Sequence, residues 1–396
     1  MISVTQARAL MLEHIAPLRS ESVHLGDALG RTLAAPVTAA RAQPPFRASA
    51  MDGYAVRSTD TPGHLEIITE IAAGQMPKQE LGPRQAMRIF TGAPLPSGAD
   101  AVVIQEHFRR DGTHIDAPGV APNLHVRELG IDFAAGETLI DAGAVIDGPV
   151  LALAAAAGAA TLAVTVRPRL FILSGGDEIV APGSAPGPAQ IFDSGSFGVA
   201  GFASSWGAAA QTNPPLRDEP SSIAAAIDDA LTRSDAAVVI GGASVGDHDH
   251  ARGALAAIGA RLVFDGVAMR PGKPTWFAVR DGKPVLGLPG NPASALVAAR
   301  LFLRPLLAQM LGGDVDASLA TKTALLRVAL GANGGREAFL RARLESDAAG
   351  QAWVSEFPNQ DSSLLRPFAR ANCLIVRPIS DEARRAGDAI QVLSLT

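Results

Sequence analysis

The chain has a single cysteine, Cys373, which excludes an intramolecular disulfide framework and a multi-cysteine zinc site and suits a reducing cytosol. Its plainest role is that of a small buried residue in an apolar segment. Clustered basic charge is missing too. A net charge of -5 over 396 residues, with no Lys/Arg block, gives no field to draw in a nucleic-acid backbone. No membrane span is expected: the uncharged run 150–166 is Ala-rich, contains Gly158 and reads as a packed helix followed by a strand. The N-terminus, Met1-Ile2-Ser3-Val4-Thr5-Gln6, lacks the basic and apolar regions of an export signal, and Ser3 and Gln6 instead have capping-box spacing. Walker loops and dinucleotide fingerprints are absent, and no nucleophile assembly stands out, so covalent and hydride chemistry lose ground.

What is present is a composition of 47% hydrophobic and 18% charged residues, ordinary for a folded soluble protein. The length exceeds what one core usually serves, so two to four domains are expected. Ala7, Leu10, Met11 and Ile15 recur at helical spacing, and a second small unit spans 23–33; both predict surface-packed helices of a first domain. Pro44-Pro45-Phe46 breaks that pattern, and short apolar strands follow at 65–72, 85–90 and 101–106. Helical pattern resumes only after Ile146, so the β-rich block 45–133 reads as an insertion into a helical N-terminal domain of 1–44 and 134–166. From 167 to 313 strands (170–173, 236–240, 262–264 and more to Leu286) alternate with helices (194–205, 221–232, 251–258, 293–310). That alternation predicts a three-layer α/β domain around a mostly parallel sheet. The last block, 314–396, returns to alternating segments such as 324–328 and 371–376 and reads as a small β domain with no obvious catalytic grouping. The fold class is therefore multidomain α/β plus β.

Sheets of this kind bind ligands outside the carboxyl ends of their strands, and there the sequence is unusual. Leu173 leads into Ser174-Gly175-Gly176-Asp177-Glu178, Ile240 into Gly241-Gly242-Ala243-Ser244-Val245-Gly246-Asp247-His248-Asp249, and Leu286 into Gly287-Leu288-Pro289-Gly290-Asn291-Pro292. Glycines let backbone approach a ligand, and amides of such loops with a following helix N-terminus would cradle phosphate or another oxyanion. Each loop alone is equally ordinary turn chemistry. Asp218, just before Glu219-Pro220, has the position of a helix cap as much as of a site acid. Lys273 in Arg270-Pro271-Gly272-Lys273-Pro274 offers a point charge for phosphate, or a solvated turn. His248 and His250 read as solvated or capping residues rather than zinc ligands, whereas carboxylates beside phosphate suit magnesium. The inventory fits metal-assisted chemistry on a phosphate-bearing ligand.

Taken in order, these strings resemble the molybdopterin molybdenumtransferase family, that is, the MoeA proteins and the E domain of gephyrin, over nearly the whole chain. The match runs from Leu25-Gly26-Asp27-Ala28-Leu29-Gly30-Arg31 through Ser49-Ala50-Met51-Asp52-Gly53-Tyr54-Ala55 and Phe90-Thr91-Gly92-Ala93-Pro94 to Arg127-Glu128-Leu129-Gly130-Ile131-Asp132. It continues through Gly176-Asp177-Glu178, the 241–249 loop, Pro271-Gly272-Lys273-Pro274 and Leu288-Pro289-Gly290-Asn291-Pro292. The resemblance implies a central α/β molybdopterin-binding domain, and an elongated homodimer in which this domain faces the β-rich insertion of the other subunit. It implies adenylylated molybdopterin and molybdate as substrates, Mg2+, and release of AMP to give the molybdenum cofactor.

Carried over by position, Asp52 and Asp132 are acids on the insertion side, and Glu178, Asp218 and Asp249 on the α/β side, with Glu178 and Asp249 as metal ligands. Gly241, Gly242, Ser244, Lys273, Pro289, Gly290, Asn291 and Pro292 would bind or shape the pterin site. Departures are mild: Ile131 where Glu is usual, His125 for Asn, Gly175 for Thr, and Gly241 where Ser is frequent. Partners would be a second copy and other cofactor-biosynthesis proteins, with no nucleic acid and no membrane. The rival readings are a non-catalytic molybdopterin-binding scaffold, the sister molybdopterin adenylyltransferase, and a paralogue that takes tungstate.

Overall fold

The computed structural model describes residues 1–107, 110–241 and 250–395. The helix Val4–Leu12 opens with both bonds of the expected capping box: Gln6 N donates to Ser3 Oγ and Ser3 N donates to Gln6 Oε1, each at 3.1 Å. Its apolar face, Val4, Ala7 and Met11, does not lie on a first domain as expected. It packs, with Ile15, into the core under the central α/β sheet. The second unit is not a helix: Ser20–His24 is a strand followed by the 3-10 turn Leu25–Asp27. Antiparallel pairing with Thr161–Thr165 overrides its local spacing. That pairing, with Val37–Thr38 beside Thr138–Ile140 and Gln43 bridged to Phe133, brings together the two ends of the β-rich block.

The β-rich block is a six-stranded sheet in the order Ala101–Ile104, Gly53–Val56, Gln85–Ile89, Gly63–Ile71, His114–Ala117, Arg110–Asp111. Tyr54, Val56 and Leu65 face one apolar cluster, while Ala55, Met87 and Ile89 face another. Gly53 sits in the middle strand so close to its neighbour that a Cβ would lie 2.0 Å from the Val103 carbonyl oxygen. The Asp-Gly step is therefore fixed by packing as well as by any chemistry of Asp52.

In the α/β domain the sheet order is Ala209–Thr212, Arg169–Ser174, Ala236–Ile240, Lys283–Leu288, Trp276–Arg280, Arg261–Asp265, with the first four parallel and Trp276–Arg280 antiparallel to both of its neighbours. Phe171, Leu173, Ala237 and Val239 point to Ile223, Ile227 and Leu231 of the helix Pro220–Arg233. Leu170, Ile172, Val238 and Ile240 point to the other face, where Val199, Ala203, Leu296 and Phe302 cover them. These near-continuous apolar strands are what a sheet buried on both sides requires. The stretch Pro292–Met310 is long and apolar enough to cross a membrane, which the sequence reading missed, yet 89% of it is buried in this core. It runs as a helix to Ala298, a π-helical turn over Ala299–Leu303 and a second helix to Met310.

The C-terminal strands Glu337–Ser346, Ala352–Glu356, Thr321–Leu326, Ala389–Ser394 and Cys373–Arg377 close on themselves as a small barrel. Cys373 is buried in it as expected, and burial pushes its thiol pKa up to about 12, away from reactivity. The short strand Met269–Arg270 pairs in parallel with Glu337 and Ala338, joining the barrel to the α/β domain. Replacing Gly53 by Ala should cost about 1–3 kcal/mol of stability by forcing two strands of the β-rich block apart; an unchanged chemical-denaturation midpoint would contradict this packing.

Candidate functional site

Three parallel strands stop at one level, since Ser174 lies beside Ile240 and Ile240 beside Leu288. Gly175 N donates to the Ile240 carbonyl at 3.0 Å and Gly241 N to the Leu288 carbonyl at 3.1 Å, so the backbones stay paired past the strand ends. Gly241 has φ +86°, and a Cβ there would lie 2.7 Å from the Gly175 carbonyl oxygen. The three continuations floor a cleft of about 610 Å³. The amide cradle expected from the glycines is not formed by those at 175, 176 and 241, because all three N–H groups already donate to backbone carbonyls. They contribute room. Among the described residues, the amides of Gly290 and Asn291, at the start of the helix Pro292–Ala298, have no such partner and border the cleft.

Glu178, Asp218, Gly241, Pro289, Gly290, Asn291 and Pro292, all singled out from sequence, line this one cleft. Lys273 does not, although Pro274 beside it does. Gly242, Ser244 and Asp249 lie outside the described residues. Asp218 is not the cap that its position suggests. Glu219 is the N-cap residue of the helix Pro220–Arg233, with no side-chain capping bond, and Pro220 opens the first turn. Asp218 N instead donates to Asp177 Oδ1 at 3.3 Å, and Asp218 Oδ1 is buried with no hydrogen-bond partner among the described residues. A buried acceptor in this state costs about 1–3 kcal/mol and marks a position awaiting a donor or a cation.

Asp52 and Asp132 are not brought to the cleft of their own chain. Asp52 sits on an exposed turn between Ala48–Ser49 and Gly53–Val56. Its Oδ1 accepts from Thr91 N at 2.7 Å and Thr91 Oγ1 at 2.8 Å. These bonds, the backbone one foremost, hold its carboxyl below the ordinary pKa, so it stays ionised at neutral pH. Asp132 is exposed, with its N–H on the Gln43 carbonyl at 3.0 Å.

Sequence reasoning missed two parts of the site. Asp193, buried beneath the cleft, accepts from Ser174 Oγ at 2.5 Å, Ser196 Oγ at 2.6 Å and Ser196 N at 3.0 Å, tying a strand end to the start of the helix Gly195–Ser205. The string Asp193-Ser194-Gly195-Ser196 carries an Asp/Ser turn signal that could have marked it. The other is the loop 359–364 of the C-terminal barrel, a region expected to be chemically bare. Ser363 and Leu365 line the cleft, Asn291 Nδ2 donates to Ser362 Oγ at 3.0 Å, and Ala293 N donates to the Ser362 carbonyl at 3.1 Å. Arg341, 1% exposed, fixes that loop from behind through Gln360 Oε1 (3.2 Å) and the carbonyls of Asp361 (2.9 Å) and Leu364 (2.8 Å). An arginine directly after the apolar run Ala338-Phe339-Leu340 was the available signal. Substituting Arg341→Met should cost about 2 kcal/mol or more, since hydrogen bonds to a charged group are lost. Hydrogen exchange should speed up at 359–364, and unaltered protection of that loop would remove Arg341 from this role.

Comparison with known proteins agrees with the geometry. Residues 2–158 match the MoeA N-terminal region (domain I and II), 171–309 a probable molybdopterin binding domain, and 323–395 the MoeA C-terminal region (domain IV). The chain is 35% identical to molybdopterin molybdenumtransferase 2 of Mycobacterium tuberculosis over 100% of both chains. It is 34% identical to the molybdopterin molybdenumtransferase of a Nostoc species, over 95% of this chain and 89% of that one. The crystal structure of the molybdopterin biosynthesis MoeA protein from Pyrococcus horikosii superposes with a TM-score of 0.85 at 30% identity, covering 100% of this chain and 99% of that one. With identity sustained from end to end and the strand-end cleft inside the molybdopterin-binding segment, the chain belongs to the molybdopterin molybdenumtransferase family.

Proposed function

We propose that this chain transfers molybdenum from molybdate to adenylylated molybdopterin, with magnesium-dependent release of AMP, in the cleft at the strand ends. The observation that carries the proposal is Asp218, whose buried, unpartnered carboxylate oxygen shares a glycine-floored cleft with Glu178. Hard carboxylate oxygens, with no histidine or cysteine among the described residues that line the cleft, suit Mg2+, which characteristically takes one or two carboxylates and completes its shell with water and substrate phosphate. Glu178 and Asp249 are the proposed ligands, and Asp218 joins them. When bound, the ion supplies charge neutralisation and polarisation of the phosphoanhydride.

The chain's own residues then do the rest. Glu178 and Asp218 repel a free diphosphate, so they admit one only together with a cation. Gly241 and Gly290 leave the floor bare, and the N–H groups of Gly290 and Asn291 at a helix start face the anion. Asn291 is held by Ser362, so this wall keeps its shape; Lys273, next to Pro274 but not itself lining the cleft, is the proposed charge for phosphate. On this reading the four domains are 1–44 with 134–166, 45–133, 167–313 and 314–396.

The proposal includes a homodimer, because Asp52 and Asp132 need a second copy in order to act at this cleft. Apolar side chains stand exposed beside both halves. Leu129 and Ile131, at 59% and 66%, adjoin Asp132; Ile191 and Phe197, at 57% and 56%, are on or near the cleft's rim. Closure of two chains would bury such surface.

With purified protein, adenylylated molybdopterin, Mg2+ and molybdate, Glu178→Gln and Asp218→Asn should each slow AMP release by about 10²-fold, on the scale of losing one preorganised electrostatic group. Wild-type rates in both would sink the assignment, and no AMP from the wild-type chain with molybdate or tungstate would favour the scaffold reading. Mixed dimers supply a second check. Asp52→Ala and Asp218→Asn chains, each strongly slowed alone, should regain part of the activity when refolded together, and no recovery would place the whole site within one chain.

A further inference from the structure

The solvent face of the β-rich sheet carries four side chains that the proposed reaction does not use. Gly63–Ile71 and His114–Ala117 run antiparallel with His64 opposite Asp116 and Glu66 opposite His114. Leu65 and Ile115, between them, are fully buried, so alternation turns the two imidazoles and two carboxylates outward as a two-by-two patch. The diagonal between the histidines is short: their rings stack with centroids 4.6 Å apart and planes at 6°. His64 Nδ1 lies 2.7 Å from Asp116 Oδ1, and His114 Nδ1 lies 3.2 Å from Thr113 Oγ1.

With Nδ1–H of each ring donated to those oxygens, the lone pair is on Nε2, and among the described residues neither Nε2 has a hydrogen-bond partner. A carboxylate or hydroxyl behind one ring nitrogen is what fixes the tautomer and orientation of a metal-ligating histidine. We propose that this patch binds a divalent transition metal of the Zn2+, Ni2+ or Cu2+ class. The ligands are Nε2 of His64 and His114 and the carboxylate of Glu66, with water completing the shell and Asp116 holding His64 from behind.

Among the described residues no three such donors already converge, and the two rings lie parallel. Convergence needs only side-chain rotation at an exposed surface: the side chain of His64 is 57% exposed and that of Asp116 71%. Imidazole nitrogen also separates this patch from the carboxylate cleft. Borderline transition metals favour nitrogen donors, whereas Mg2+ favours oxygen. A bound ion would clip the two strands together and raise the melting temperature.

The test is calorimetric titration of the full, chelator-stripped chain with NiCl2 or ZnCl2 in millimolar Mg2+, which occupies oxygen-donor sites. One equivalent should bind per chain. His64→Gln with His114→Gln should weaken binding by about 100-fold or more, and Glu66→Gln by about tenfold, the range over which ligand-shell changes act. The metal-dependent rise in melting temperature should vanish in the double variant while AMP release stays at the wild-type rate. Absence of binding at millimolar metal, or unchanged affinity in the double variant, would overturn the site. Unchanged affinity in Glu66→Gln would overturn the ligand set as stated.

Discussion

The close approach of three backbones at the ends of parallel strands is the constraint on which the rest of the molecule depends. Gly175 pairs with Ile240 and Gly241 with Leu288, and Gly290 packs so near that a Cβ on it would stand 3.4 Å from Gly241 Cα. Because side chains are excluded there, the sheet ends in an open floor rather than a packed edge. Every other part of the cleft is arranged around that floor. Asp193 ties the floor to a helix start, the 289–292 turn forms one wall, and Asp218, whose Oδ1 is buried without a hydrogen-bond partner among the described residues, lines another. Glycine here supplies room, and the anion-facing donors are left to the amides of the helix that follows.

The C-terminal barrel is joined to this arrangement through one buried charge. Arg341 has water on no side, yet its donors are satisfied by carbonyls of the loop that meets Asn291. Such an arrangement converts the rigidity of a small barrel into the position of a loop more than fifteen residues away in sequence. The β-rich block behaves differently. The carboxylate of Asp52 is held by Thr91, whereas at Asp132 only the backbone N–H is held, by the Gln43 carbonyl, and neither acid lies in the cleft of its own chain.

Much of this was legible in the sequence, for identifiable reasons. Ala236–Ile240 and the helices near it fall where apolar runs and helical spacing place them, because burial on both faces leaves a pattern that few alternatives share. The strand-end strings were legible only together: each alone is ordinary turn chemistry, yet the residues at 174–176, Glu178, Gly241 and 289–292 line one cleft, while 242–249 lies outside the described residues. Three things were not. Ser20–His24 became a strand because its partner lies more than a hundred residues away, and local spacing cannot register that. Asp218 looks like a cap from its neighbours alone; only the fold turns its carboxylate away from the helix. The loop behind Ser362 and Ser363 reads as a polar turn until Arg341 and Asn291 are seen on either side of it.

The central claim is that the glycine-floored cleft holds the phosphate-bearing pterin. A crystal structure of the chain with adenylylated molybdopterin and Mg2+ tests it most directly. The account predicts diphosphate density over Gly241 and Gly290, with the cation against Glu178 and Asp218. Ligand density elsewhere, or a cation that leaves Asp218 Oδ1 untouched, would contradict it.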